Sequence, residues 1–300
     1  MEIQWSRIKE PVFLHGDEVT AYRDPVGHYH NGVFRVYHTQ VHIEKDGRYF
    51  IYTGMTQSAD LVNWTDPVIL TPRDQLLNYS SPGNIIMYDN KWMICLQTYP
   101  TPENQPFGDQ TARIFTMKSN DLIHWEEPEI MMVKGPDVPV DKMGRMIDPY
   151  LIQDKDDKSK WWCFYKQNGA SISYTHDFKT WTYFGNVKAG ENVCILVEKE
   201  EYIMFHSPSN GIGVKKSKDL INWTDHGLII LGQKDWPWAA GRLTAGHVLD
   251  LRDQPEIGRY VMFFHGSVSN DIQPRETHGR ASLALAWSHD LVNWEWSGGV

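Results

Sequence analysis

Three acidic residues stand in matching settings along this chain. Asp24 lies in "TAYRDPVGHYHNGVFRVYHT", Asp148 in "GRMIDPYLIQDKDDKSKWW" and Glu191 in "KAGENVCILVEKEEYIMF". Each precedes an apolar run, then a turn, then a second run rich in strand formers. Two further segments share that layout without the acid: "NYSSPGNIIMYDNKW", and "LTAGHVLDLRDQPEIGRYVMF" with His247. If the layout is a repeat, the three carboxyls hold equivalent places and converge on one site. Like charges in one pocket disfavour joint ionisation and raise at least one pKa. That suits acid–base chemistry: one carboxyl donates a proton while a second, ionised, activates water or attacks carbon. Cleavage of a glycosidic bond uses such a pair.

The elements that must position these acids are announced by a recurring phrase. "SADLVNWTD", "SNDLIHWEE", "THDFKTWTY", "SKDLINWTD" and "SHDLVNWEW" place an Asp at 60, 121, 177, 219 and 290. Between them the chain reads as short strands such as "GRYFIYTGM", "KWMICLQTY", "KWWCFYKQ", "EYIMFHS" and "RYVMFFHGS", with no sustained helical period. Five units of short strands with variable loops predict an all-β, five-bladed β-propeller over residues 1–300 as a single domain. Radial repetition protects the strand edges that such a fold would otherwise expose. The phrase reads as scaffold: Ser and Asp two apart favour local turns, and the Trp packs on a neighbouring blade. A residue identical in every blade cannot build one asymmetric site. The acids, where the units differ, can.

Composition bounds the partners. The chain is 41% hydrophobic, with 13 Trp and 14 Tyr, and carries a formal net charge of −9. No basic stripe stands ready to neutralise phosphates, which excludes a nucleic-acid partner. An acidic chain also suits neutral substrates better than anionic ones. Cys95, Cys163 and Cys194 lie in apolar runs without metal-ligand spacing and read as buried thiols. No apolar run reaches the roughly 20 residues of a membrane helix, so no membrane partner is expected. The first residues lack an apolar leader, which leaves a cytoplasmic chain or a secreted or periplasmic one whose leader was removed.

The ordered set "RDP", "IDP" followed by "DKDDKSKWW", "GEN", "AGH" and the recurrent Ser-x-Asp-Leu-x-Asn-Trp resembles glycoside hydrolase family 43, with families 32, 68 and 117 as relatives. The resemblance spans about residues 10–296. It implies that Asp24 is the general base, that Asp148 tunes and orients, and that Glu191 is the general acid in an inverting hydrolysis of arabinose-, xylose- or galactose-type glycosides. The implied partner is an oligosaccharide or glycoside. No cofactor is implied for the chemistry. His247 is similar to a histidine that, in some members, lies under the site near a metal or water on the propeller axis, which makes a structural calcium ion the expected cation. Two motifs depart from the family: "GEN" replaces the usual "EGP", and "SSPGN" stands where a "WAPD"-like run is usual. "RDPVG" is also similar to the "NDPNG" of family 32 fructosidases, which implies retention through the same three acids.

Other side chains near these motifs have the chemistry to bind sugar hydroxyls. They are Tyr22, Arg23, His28 and His30 around Asp24, Arg145 before Asp148, and Arg242 before His247. Trp236 and Trp238 in "DWPWAAGR" offer apolar faces for a sugar ring. The same arginines and histidines leave open a phosphorylase, and a propeller that binds carbohydrate without chemistry is the remaining alternative.

Overall fold

The computed structural model describes residues 2–274, 278 and 280–298. A short strand β1 (Val12–Leu14) precedes the first blade, formed by β2 (Thr20–His30), β3 (Val33–Ile43), β4 (Tyr49–Ser58) and β5 (Val68–Ile69). Blade two is β6 (Ile85–Tyr88), β7 (Lys91–Gln97), β8 (Ile114–Ser119) and β9 (Glu129–Ile130). Blade three is β10 (Ile147–Gln153), β11 (Trp161–Lys166), β12 (Ala170–Thr175) and β13 (Thr182–Val187). Blade four is β14 (Glu191–Glu198), β15 (Glu201–Ser207), β16 (Gly213–Ser217) and β17 (Thr224–Leu228). Blade five is β18 (Arg242–Leu251), β19 (Arg259–Ser267), β20 (Ser282–Ser288) and the short β21 (Trp294–Glu295). Every blade is an antiparallel meander, and the five sheets form the expected β-propeller. The helical segments named among the described residues are short 3₁₀ turns, Trp5–Arg7, Val140–Lys142 and Pro237–Ala239 among them.

The ring is closed by the two ends of the chain. β1 pairs with β20, with Val12 opposite Ala284 and Leu14 opposite Leu283. Pro11 accepts the Leu285 N–H (2.9 Å), and Ser282 Oγ accepts the Gly16 N–H (3.0 Å).

The five phrases fold alike and lie at the ends of the third strands. In "SKDLINWTD", Asp219 Oδ1 accepts the N–H groups of Ile221 (2.9 Å) and Asn222 (2.8 Å), and Asn222 Nδ2 donates to Asp219 Oδ2 (2.7 Å). Ser217 Oγ donates to Asp219 Oδ1 (3.0 Å). The following Leu220 is held at φ 64°, and Leu61, Leu122, Phe178 and Leu291 match it at 57–67°. Left-handed backbone disfavours a bulky side chain, so the carboxylate's bonds to the turn offset that strain. Burial opposes the charge on Asp219, but the turn's donors outweigh it and hold the carboxyl down to about 2. Asp219→Ala should therefore cost about 1–2 kcal/mol in urea unfolding, the size of a lost cap, without changing substrate turnover.

Three of the phrase's Trp meet a ring on the second strand of the preceding blade, and the other two share a buried cluster with that strand. Trp64 meets Phe263 edge-on (6.2 Å), Trp125 meets Tyr37 (5.6 Å) and Trp223 meets Phe164 (6.5 Å). Trp181 shares a buried cluster with Cys95, and Trp294 shares one with Phe205. Phe263, Tyr37 and Phe164 hold the same place on their strands, so the scaffold reading of the phrase stands. The three cysteines are buried and free, and burial pushes the Cys194 thiol up to about 11.

Candidate active site

The innermost strands β2, β10, β14 and β18 share one irregularity. Arg23 pairs with Thr39 and Val26 with Tyr37, so three steps on the inner strand match two on its neighbour. The same bulge separates Ile147 from Tyr150, Glu191 from Cys194 and Thr244 from His247. Within each bulge one residue has left-handed backbone: Asp24 (φ 49°), Asp148 (53°), Asn192 (50°) and Ala245 (56°), with Ser81 (45°) in the corresponding stretch of blade two. These five, not Asp24, Asp148 and Glu191, are the matched positions. Glu191 sits one residue earlier, in register with Arg23 and Ile147. A regular strand sends consecutive side chains to opposite faces, but a bulge re-aims them. Arg23 with Asp24, Ile147 with Asp148, and Glu191 with Asn192 consequently line the same cavity of about 70 Å³.

The bulges are clamped from the preceding blade. The N–H of Asp24 donates to His265 Nδ1 (3.1 Å), that of Ser81 to Thr39 Oγ1 (2.8 Å), that of Asp148 to Gln97 Oε1 (2.6 Å) and that of Ala245 to Ser207 Oγ (2.9 Å). The four acceptors hold equivalent places on the second strands of their blades. Lys166 stands at the fifth and has no acceptor to offer. Blade four is tied instead through its side chain, as Ser207 Oγ donates to Asn192 Oδ1 (3.2 Å).

The three acids have unlike surroundings. Asp24 Oδ2 accepts from Thr39 Oγ1 (3.0 Å) and Oδ1 from Asn192 Nδ2 (3.3 Å). Asp148 is 9% exposed, and Ser81 Oγ donates to its Oδ1 (2.6 Å). Burial, then the charges of Glu191 and Asp24, push its carboxyl up to about 7. With Oδ1 engaged as an acceptor, Oδ2 is the oxygen left to carry the proton. Glu191 is 30% exposed on its side chain and accepts from Arg242 Nη2 (3.2 Å). The most buried of the three carboxyls is therefore the one pushed toward its protonated form.

Arg23, Arg145 and Arg242 all border a second cavity of about 380 Å³ that adjoins the first and shares Glu191 with it. The other residues expected to bind sugar lie elsewhere. Tyr22 meets His38 edge-on (5.3 Å) and packs with the hydrophobic cluster of blades one and five. His28 lies beyond the bulge against His30 and Trp92, and burial holds it down to about 4. Trp236 and Trp238 stack on each other (5.0 Å) and against Phe264, filling space beneath their loop. Gly266, without a Cβ, gives Trp238 its room.

His247 sits below the acids, on a cavity of about 20 Å³ that also touches Asp148 and Asn192. Its Nδ1 accepts the Gly27 N–H (3.3 Å), which places the ring proton on Nε2, a buried atom without a protein partner. A metal ligand must present a lone pair there, and this tautomer presents a donor. Among the described residues no group of three or more His, Cys, Asp or Glu is placed to hold a metal. This tautomer suits water or another acceptor, and the ring itself supplies no lone pair to the calcium ion suggested by resemblance.

Several lining residues carried no sequence signal. Gln97, Tyr99, Asn192 and His278 border the first cavity. Asn192 follows Glu191 directly, and only the tolerance of Asn for left-handed backbone marked it.

No protein-family model matches this sequence, and no curated protein matches it either. Solved structures do. The RGII complex of BT0996 aligns with TM-score 0.67 at 16% identity, covering 95% of this protein and 93% of that one. An exo-1,5-α-L-arabinanase from a bovine ruminal metagenomic library aligns with TM-score 0.63 at 15% identity, covering 94% and 98%. A GH43_1 enzyme from Xanthomonas citri, complexed with xylose, aligns with TM-score 0.61 at 10% identity, covering 95% and 93%. The likeness is one of fold.

Proposed function

We propose that this protein is a glycoside hydrolase acting on arabinose-, xylose- or galactose-type glycosides at chain ends or in short oligosaccharides. One observation carries the reading: three carboxyls from three blades border one cavity, and the deepest is pushed up to about 7 by burial and by the other two. Crowding carboxyls raises at least one pKa, the condition that acid–base cleavage of a glycosidic bond exploits. The shared scaffold of an arabinanase and a xylose-bound enzyme supports the same class by analogy of fold.

In this reading Glu191 is the general acid, since it is the most exposed of the three and lies on the border of both cavities. Asp24, fixed by two donors on its carboxylate, is the base that activates water. Asp148 orients the sugar and sets the charge felt by its neighbours. Inversion follows if water enters opposite the leaving group.

A screen of aryl α-L-arabinofuranoside, β-D-xyloside, β-D-galactofuranoside and β-fructoside tests the activity. Proton NMR of the first-formed anomer tests the stereochemistry, with the inverted anomer as the expected product. A retained anomer would instead make Asp24 a nucleophile. Unchanged rates in both Asp24→Asn and Glu191→Gln would end the assignment.

A further inference from the structure

The cavity beside Glu191 has a charge opposite to that of the whole protein. Its cations are Arg23, Arg145 and Arg242, and Glu191 is its one acid. Arg242 is paired with Glu191. Arg23 and Arg145 have no carboxylate within ion-pair distance among the described residues, in a sequence with 38 acidic residues to choose from. What holds them is neutral. Arg23 Nη1 donates to His278 Nδ1 (2.7 Å), whose Nε2–H is committed to the Pro106 carbonyl (3.1 Å). Burial and the adjacent Arg23 charge push His278 down to about 3, so it does not share the positive charge. Arg145 Nε donates to the Gly108 carbonyl (3.4 Å), and its guanidinium lies 5.5 Å from the Tyr99 ring. Arg23 Nε is buried without any acceptor.

Two guanidiniums on one cavity, neither in an ion pair among the described residues, repel each other and gain no direct charge contact in return. A sugar-binding pocket has cheaper donors for hydroxyls in Ser, Asn and Tyr. Guanidinium is the group whose planar fork matches a carboxylate or sulfate oxygen pair. We propose that the sugar bound in this cavity carries an anionic substituent, a carboxylate or a sulfate, held by Arg23 and Arg145. The proposal rests on the glycosidase reading and names a substrate class for the same cleft. It reverses the expectation, drawn from net charge, that neutral sugars suit this protein.

Calorimetric titration at low salt decides it, with methyl galacturonoside, methyl galactoside 6-sulfate and neutral methyl galactoside as probes. The expected result is that one anionic probe binds roughly ten- to a hundredfold tighter than the neutral one, and that the margin narrows at high salt. Which anionic probe wins identifies the substituent. Arg145→Gln should remove most of the margin, and Arg145→Lys, which keeps the charge but not the fork, should restore part of it. Equal binding of the three probes, or a margin untouched in both variants, overturns the proposal. So does tight binding of inorganic phosphate with release of sugar 1-phosphate, which would assign the arginines to a phosphorolytic co-substrate. Hydrolysis of neutral glycosides without preference for anions would sink this inference alone. Arginine-dependent binding of an anionic sugar with no turnover of any glycoside would sink the hydrolase reading alone.

Discussion

Glu191→Gln should lower kcat on an alkyl or sugar leaving group by roughly 10²–10⁴-fold, the usual contribution of a general acid. On a dinitrophenyl glycoside the same variant should lose far less. A dinitrophenolate departs without protonation, so the missing proton costs little in that reaction. Asp24→Asn should fall by a similar factor on both substrates, because water must be activated whichever group leaves. The contrast separates the two roles, which loss of activity alone does not. Equal losses of Glu191→Gln on both substrates would move the acid elsewhere, and Asp148, the carboxyl that holds its proton, would be the next candidate. The Arg242 contact makes the comparison cleaner: Gln retains an oxygen to accept from Nη2, so the pocket keeps its shape while the proton donor is lost.

Asp148→Asn should give a protein that is inactive and, above neutral pH, more stable than its parent. Burial, with the charges of Glu191 and Asp24, raises this carboxyl from 3.8 to about 7. Between those values the folded protein keeps a proton that the unfolded chain has released, so stability falls as pH rises through the window. At roughly 1.4 kcal/mol per pKa unit, the full penalty is about 4 kcal/mol once pH exceeds 7. Asn carries no charge at any pH and still offers an oxygen to Ser81. Urea unfolding at pH 5 and pH 8 should show the parent losing about 2–3 kcal/mol across that interval and the variant nearly none. Parallel losses in the two proteins would mean that Asp148 is not the source. The turn aspartates act in the opposite direction. Donors on the turn backbone hold Asp177 and Asp290 down to about 2, and the stability they give is lost as pH falls from about 4 toward 2. The parent is therefore squeezed from both sides, and Asp148→Asn should relax only the alkaline one.

The five blades were legible because the Ser-x-Asp turn must be rewritten in each one: its geometry needs a carboxylate at one place and tolerates little else. The inner strands were legible for the same reason, through the layout common to the units. The register inside them was not. A bulge adds one residue without altering composition, so the common layout pairs Glu191 with Asp24 where the backbone pairs Asn192 with it. Side-chain direction was hidden with it. Tyr22 and His28 lie within a few residues of Asp24, yet strand alternation and the bulge carry them into packing sites. Trp236 and Trp238 have the composition of a sugar platform, and only their stacking on Phe264 assigns them to packing against the core. His278 shows the reverse failure. It reaches the cavity from the other end of the chain, and no local pattern announces a contact with Arg23 across 255 positions.

The pairing of β1 with β20 has a consequence for synthesis. Four blades are complete in sequence before the fifth begins, and each can form as its strands emerge. The fifth needs Val12–Leu14, made at the outset, to meet Ser282–Ser288, made near the end. Until then the first strand has no partner and the fifth sheet lacks an edge. Contacts of such long range form slowly, and unpaired edges invite association with other chains. A nascent chain stalled before residue 282 should therefore be sensitive to protease at its start and prone to aggregation. It should gain resistance abruptly once β20 clears the ribosome.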